Sequence, residues 1–75
     1  MAKRRDPLLR ALGARVRLLR EGKGWTQEGL ADRAGLDRSY IAGIEAGLRN
    51  PSIRALARIA KGLGVSLSDV ATNID

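Results

Sequence analysis

The side chains best placed to do chemistry are Arg38 and Ser39, side by side, with Ala42 one turn further along a short helical pattern. A guanidinium can grip the O6 and N7 acceptors of guanine with two parallel hydrogen bonds, and a serine hydroxyl can donate to or accept from any base edge. On a helical wheel Ser39, Ala42, Gly43 and Ala46 share one arc, all of them small, with Arg38 at its N-terminal end as the single long side chain. Such a surface can enter a major groove deeply, and Arg38, Ser39 and Ala42 are the expected base contacts. Arg38 could instead pair with a nearby acid such as Glu45. Other chemistry has little to work with. Histidine and cysteine are absent from the 75 residues, which removes disulfides, the usual zinc sites, thiol nucleophiles and imidazole bases. The expectation is a binding protein, not an enzyme, with no cofactor and no metal.

The opposite arc of the same helix carries Ile41 and Ile44, three apart and facing inward. Ala31, Gly35, Ile41 and Ile44 together have the spacing of a helix-turn-helix, in which two helices cross at about 90–120° over a turn of roughly 3–4 residues. Ala31 is the small residue where the helices touch, and Gly35 stands where the chain leaves helical dihedrals. Leu30, Ala34 and Leu36 add apolar contacts.

Helix ends are marked by a recurring triplet: Gly24-Trp25-Thr26, Gly35-Leu36-Asp37 and Gly64-Val65-Ser66. Each glycine ends a helix, the apolar residue packs back on the last turn, and Thr26, Asp37 or Ser66 caps the next helix. Gly47-Leu48 ends a helix and opens into Arg49-Asn50-Pro51 before Ser52 caps again, and Asp6-Pro7 starts the first helix. Five helices are predicted, at 7–23, 27–34, 38–46, 53–63 and 67–71, preceded by a basic arm over residues 1–6. Residues 7–75 form one all-α domain with its motif at about 26–47.

The wheels predict a core stripe of Leu8, Leu9, Leu12, Val16 and Leu19 in the first helix and of Ile53, Leu56, Ala57, Ala60 and Leu63 in the fourth, with Arg54, Arg58 and Lys61 solvated. Trp25 is read as a residue closing the core. Arg20 and Glu45 lie at the edges of inward arcs, so they are expected to meet as a structural ion pair. Val65, Leu67, Val70 and Ile74, with Ile59, either close the core or form a dimer interface, and the interface is the expectation.

A net charge of +6 and a pI near 11.1 favour a polyanionic partner. The charge is uneven. Residues 1–24 hold eight basic and two acidic groups, residues 25–50 hold three and four, and residues 51–75 hold three and two. Affinity should therefore rest on directed contacts plus the field of the N-terminal segment, where Lys3, Arg4 and Arg5 could follow the backbone or a minor groove. Gln27, Tyr40, Arg49 and Asn50 are the phosphate-contact candidates. No apolar run approaches a membrane span, so no membrane partner is expected.

Taken from Leu12 to Val70, the chain resembles the lambda-repressor-like (Cro and repressor, XRE-type) helix-turn-helix family. The resemblance runs through Leu12-Gly13-Ala14-Arg15-Val16-Arg17, Gly24-Trp25-Thr26-Gln27-Glu28-Gly29-Leu30-Ala31, Gly35-Leu36-Asp37-Arg38-Ser39-Tyr40-Ile41, Ile44-Glu45-Ala46-Gly47, Asn50-Pro51-Ser52 and Ile59-Ala60. The stretch Asp37 to Ile41 and the compact length look most like the controller proteins of restriction-modification systems. The resemblance implies a five-helix homodimer on a palindromic DNA operator, with Arg38 and Ser39 on bases, Gln27, Tyr40, Arg49 and Asn50 on phosphates, and Arg20 paired with Glu45. A cytoplasmic, nucleoid-associated transcriptional regulator follows. An RNA polymerase sigma subunit or a toxin is a further expected partner, the latter under the alternative of an antitoxin-type regulator. Gly29 and Gly62 depart from the family pattern, standing where its helices carry better helix formers, and Ala46 stands where many members carry a polar or basic residue.

Overall fold

The computed structural model describes residues 6–72, so residues 1–5 of the expected basic arm, with Lys3, Arg4 and Arg5, and the expected interface residue Ile74 lie outside the described residues, while Asp6 belongs to the start of the first helix. Five helices follow in order: α1 (Pro7–Gly22), α2 (Gln27–Ala34), α3 (Arg38–Glu45), α4 (Ile53–Leu63) and α5 (Leu67–Val70). No strand occurs among the described residues.

Local chemistry accounts for the punctuation. The Asp6 carboxylate accepts from the Leu8 amide at 2.9 Å, and the hydroxyls of Thr26 and Ser52 accept from Gly29 and Ala55 at 3.0 Å. Ser66 and Asp69 satisfy each other's amides in a capping box, and backbone and side-chain hydrogen bonds from Ser66 hold the Asp69 carboxyl below its ordinary range. Asp37 is the exception. It occupies the N-cap of α3 but its side chain accepts no capping bond; the helix start is fixed by its carbonyl, which accepts from Tyr40 and Ile41 at 3.1 Å. At the turn between α2 and α3, Gly35 takes φ +68°, which lets the Leu36 amide reach back to the Ala31 carbonyl at 2.9 Å. The predicted ends of α1, α3 and α5 each run one residue too far, because Lys23, Ala46 and Ala71 are C-caps.

α3 packs against α1 and α2, α2 also against α4, and α5 closes on α4 and α1. Leu12, Val16, Leu30, Ala31, Ala34, Ile41, Ile44, Ile59, Ala60, Leu63 and Val70 form one continuous core. The α1 stripe holds except at its first residue, and the α4 stripe is rotated. Leu8 is 52% exposed, and in α4 the buried arc is Ala55, Ile59, Ala60 and Leu63, while Ile53 is 67% exposed and Ala57 is on the surface. α4 is apolar around more than half its circumference, so its pattern alone leaves the orientation open. What decides is the approach to α2: a Cβ built at Gly62 would stand only 3.1 Å from the Ala34 nitrogen. That proximity explains a glycine where a better helix former would be expected.

The rotation of α4 and the closure of α5 on α4 and α1 correct the expected interface. Ile59 and Val70 are sealed inside the protomer, Val65 is half-buried against the core, and only Leu67 among the described members of that set reaches the surface. Apart from Leu67, the exposed large apolar side chains lie outside that set. Leu8, Ile53, half-buried Leu56 and Leu67 line a groove of about 340 Å³ that Pro51 also lines.

The tightest approach is between α1 and α3. A Cβ at Gly13 would collide with the Ile44 carbonyl and stand 2.6 Å from that of Glu45. Gly13→Ala should therefore cost about 1–3 kcal/mol through forced backbone shifts. Gly29, whose Cβ would meet nothing closer than 3.4 Å, should gain up to about 1 kcal/mol on the same change. Thermal unfolding reads both, at about 4–8 °C per kcal/mol for a domain of this size. A raised melting temperature for Gly13→Ala would contradict the packing described.

Candidate nucleic-acid interface

The position of α3 is set from beneath. Ile41 and Ile44 are fully buried, and beside them the Glu45 side chain is 3% exposed. A carboxylate so deep is stable only with a partner, and Arg20 of α1 supplies it in a fork: Nε to Oε2 at 2.8 Å and Nη2 to Oε1 at 3.0 Å. The third edge of the guanidinium donates to the Trp25 carbonyl at 2.6 Å, and Gln27 Nε2 donates to Glu45 Oε1 at 3.1 Å. Hydrogen bonding to Glu45 raises the Arg20 pKa above its ordinary value, outweighing the opposing effect of burial, so the guanidinium stays charged. Among the described residues no buried side-chain donor or acceptor is left without a partner. One network thus joins α1, the lead-in to α2, and α3.

The other side of α3 faces outward. Arg38, Ser39 and Ala46 are exposed and Ala42 and Gly43 half-exposed. Arg38 makes no ion pair among the described residues, and the acid it could have met, Glu45, is occupied by Arg20 and Gln27. Tyr40 is half-buried at the edge of the core, and the Arg49 guanidinium lies 5.7 Å over its ring. Arg49 and Asn50 are exposed in the segment after α3. Gln27 sits at the first position of α2 as predicted, but one of its side-chain N–H groups is directed inward to Glu45.

Sequence reasoning missed two features here. Trp25 does pack on the core, yet its ring also carries Arg33, whose Cζ stands 3.9 Å from the ring centroid. The stem of Arg49 passes across Gly43, which the one-turn spacing of Tyr40 and Gly43 could have suggested.

The sequence and the fold that carry this site have known relatives. A family model described as Helix-turn-helix matches residues 16–70. The chain belongs to this helix-turn-helix family. It is 38% identical over 64 residues to the uncharacterized HTH-type transcriptional regulator y4dJ of Sinorhizobium fredii, covering 85% of this chain and 83% of that protein. The crystal structure of the restriction-modification controller protein C.AhdI from Aeromonas hydrophila superposes with a TM-score of 0.82 at 42% identity, over 83% of this chain and 94% of that one. C.Esp1396I bound to a 19 base pair DNA duplex gives a TM-score of 0.78 at 44% identity, over 84% of each chain.

Within this helix-turn-helix chain the ion pair is the feature most open to a stability measurement. Arg20→Ala and Glu45→Ala should each cost about 3–5 kcal/mol, because each strands the other charge in a buried site. The double variant should lose clearly less than the sum of the two. Unchanged melting of either single variant would contradict the burial described.

Proposed function

We propose that this protein is a transcriptional regulator that binds double-stranded operator DNA as a homodimer, in the manner of a restriction-modification controller. One observation carries the reading: α3 presents a small-residue face headed by an exposed Arg38 while its other side is fixed by the buried fork of Arg20 and Glu45. The likeness to controller proteins, one of them a complex with a DNA duplex, supports it and favours operator binding over the toxin-binding alternative. Arg38, Ser39 and Ala42 meet base edges in the major groove; Tyr40, Arg49, Asn50 and the remaining donors of Gln27 meet phosphates. No reaction and no cofactor are part of this function, and a regulator bound to operator DNA resides at the nucleoid.

One recognition helix reads only a few base pairs, so two related by a twofold axis are needed for a long site. The groove of Leu8, Ile53, Leu56 and Leu67 is the surface we assign to the second protomer. Half-sites then lie about 10–10.5 base pairs apart, one helical turn.

Arg38→Ala, assayed against a panel of single-base operator variants, should lose about 1–3 kcal/mol of discrimination at one base pair per half-site. A loss equal at all positions would make Arg38 a backbone contact instead. Ile53→Asp should sediment as a monomer at micromolar concentration, bind the operator far more weakly, and melt as a folded protomer at a temperature that no longer depends on protein concentration. A variant that remains dimeric would show that the groove is not the interface.

A further inference from the structure

We propose that Gly43 is a positioning residue: the space left by its missing side chain docks the stem of Arg49, which holds the Arg49 guanidinium against Tyr40 as a preset contact for one DNA phosphate. The phosphate rests on the operator reading above; the docking does not.

A Cβ built at Gly43 would stand 2.5 Å from Arg49 Cγ, 3.4 Å from its Nε and 3.5 Å from its Cδ. The Arg49 stem therefore occupies the very volume that any other residue at position 43 would claim. Tyr40, one turn earlier on the same flank, receives the head of the side chain, with Cζ 5.7 Å over the ring. The backbone enforces the approach. The Leu48 amide donates to the Gly43 carbonyl at 2.9 Å, so the segment that carries Arg49 is already tied back to Gly43. Glycine in the interior of an eight-residue helix lowers helix propensity, and this position is inside α3, between Ile41 and Glu45.

The gain is preorganisation. Beyond Arg38 the exposed arc of α3 has no long side chain, and an arginine free to sample its rotamers would lose that freedom on every encounter with DNA. Docked across Gly43, Arg49 supplies the missing cation beside the reading face with part of that ordering already done.

The test is a cycle of Gly43→Ala, Arg49→Ala and the double variant. In the free protein, NMR should show Arg49 side-chain protons shifted upfield by the Tyr40 ring, and the shift should vanish in Gly43→Ala and in Tyr40→Leu. On operator DNA each single variant of the cycle should lose about tenfold in affinity, the scale of one charge-assisted hydrogen bond. The slope of log K against log salt should fall by about 0.9 for each phosphate that the variant no longer neutralises. The double variant should bind no more weakly than Arg49→Ala. The melting temperature of Gly43→Ala should hold or rise, since alanine is the better helix former.

Four results would overturn the proposal: no ring-current shift in the wild type, unchanged binding by Gly43→Ala, a lowered melting temperature, or a loss from Gly43→Ala that persists in the Arg49→Ala background. The last would mean that the added methyl meets DNA directly. If the wild type bound no DNA, the operator reading and the phosphate contact would both fail while the ring-current shift remained, so the two failures read differently.

Discussion

The buried fork between Arg20 and Glu45 is the interaction on which the rest of the structure depends. It joins the end of α1 to the end of α3, and through the Trp25 carbonyl and the Gln27 amide it also holds the lead-in to α2. An ion pair this deep offsets its own desolvation without a large surplus, so its contribution is chiefly orientation: α3 has one seat, and leaving it strands a charge. Gly13 enforces the same seat sterically, because α1 and α3 approach so closely that no side chain fits between them. Electrostatics and sterics thus specify one geometry twice.

A scaffold fixed in this way allows the exposed arc of α3 to be nearly bare. Ser39, Ala42, Gly43 and Ala46 contribute shape, and the long charged side chains beside them are few: Arg38 at the start of the helix and Arg49 in the segment after it. That division agrees with the charge distribution. Residues 25–50 hold three basic and four acidic groups, so under the proposed function the motif relies on the placement of individual contacts, while the long-range field comes from residues 1–24.

Much of the architecture is legible in the sequence because it is written in local rules. Thr26, Ser52 and Ser66 cap the helices they precede, and Gly35 ends α2, since each requirement involves only a few neighbouring residues. The meeting of Arg20 and Glu45 is legible for a different reason: two opposite charges at the edges of inward arcs have few places to go. What stays hidden depends on approach by distant segments. α4 is apolar around too much of its surface for its wheel to choose a face, so the pattern takes Ile53 into the stripe and leaves Ile59 at its edge, whereas Ile59 is buried and Ile53 exposed. Gly13, Gly62 and Gly43 have no side chain to advertise a neighbour, and their roles emerge only when α3, α2 and Arg49 are brought against them. The uncapped Asp37 shows that a capping residue type permits a bond without forcing it.

The central claim is that a rigidly seated α3, doubled by a twofold axis, reads duplex DNA. Selecting bound sequences from a random DNA pool tests it most directly, because one experiment reports preference, symmetry and spacing. The expected result is an enriched palindrome whose half-sites are separated by about one helical turn, roughly 10–10.5 base pairs. A pool that stays random after repeated selection, or enrichment of a single site without symmetry, would contradict it.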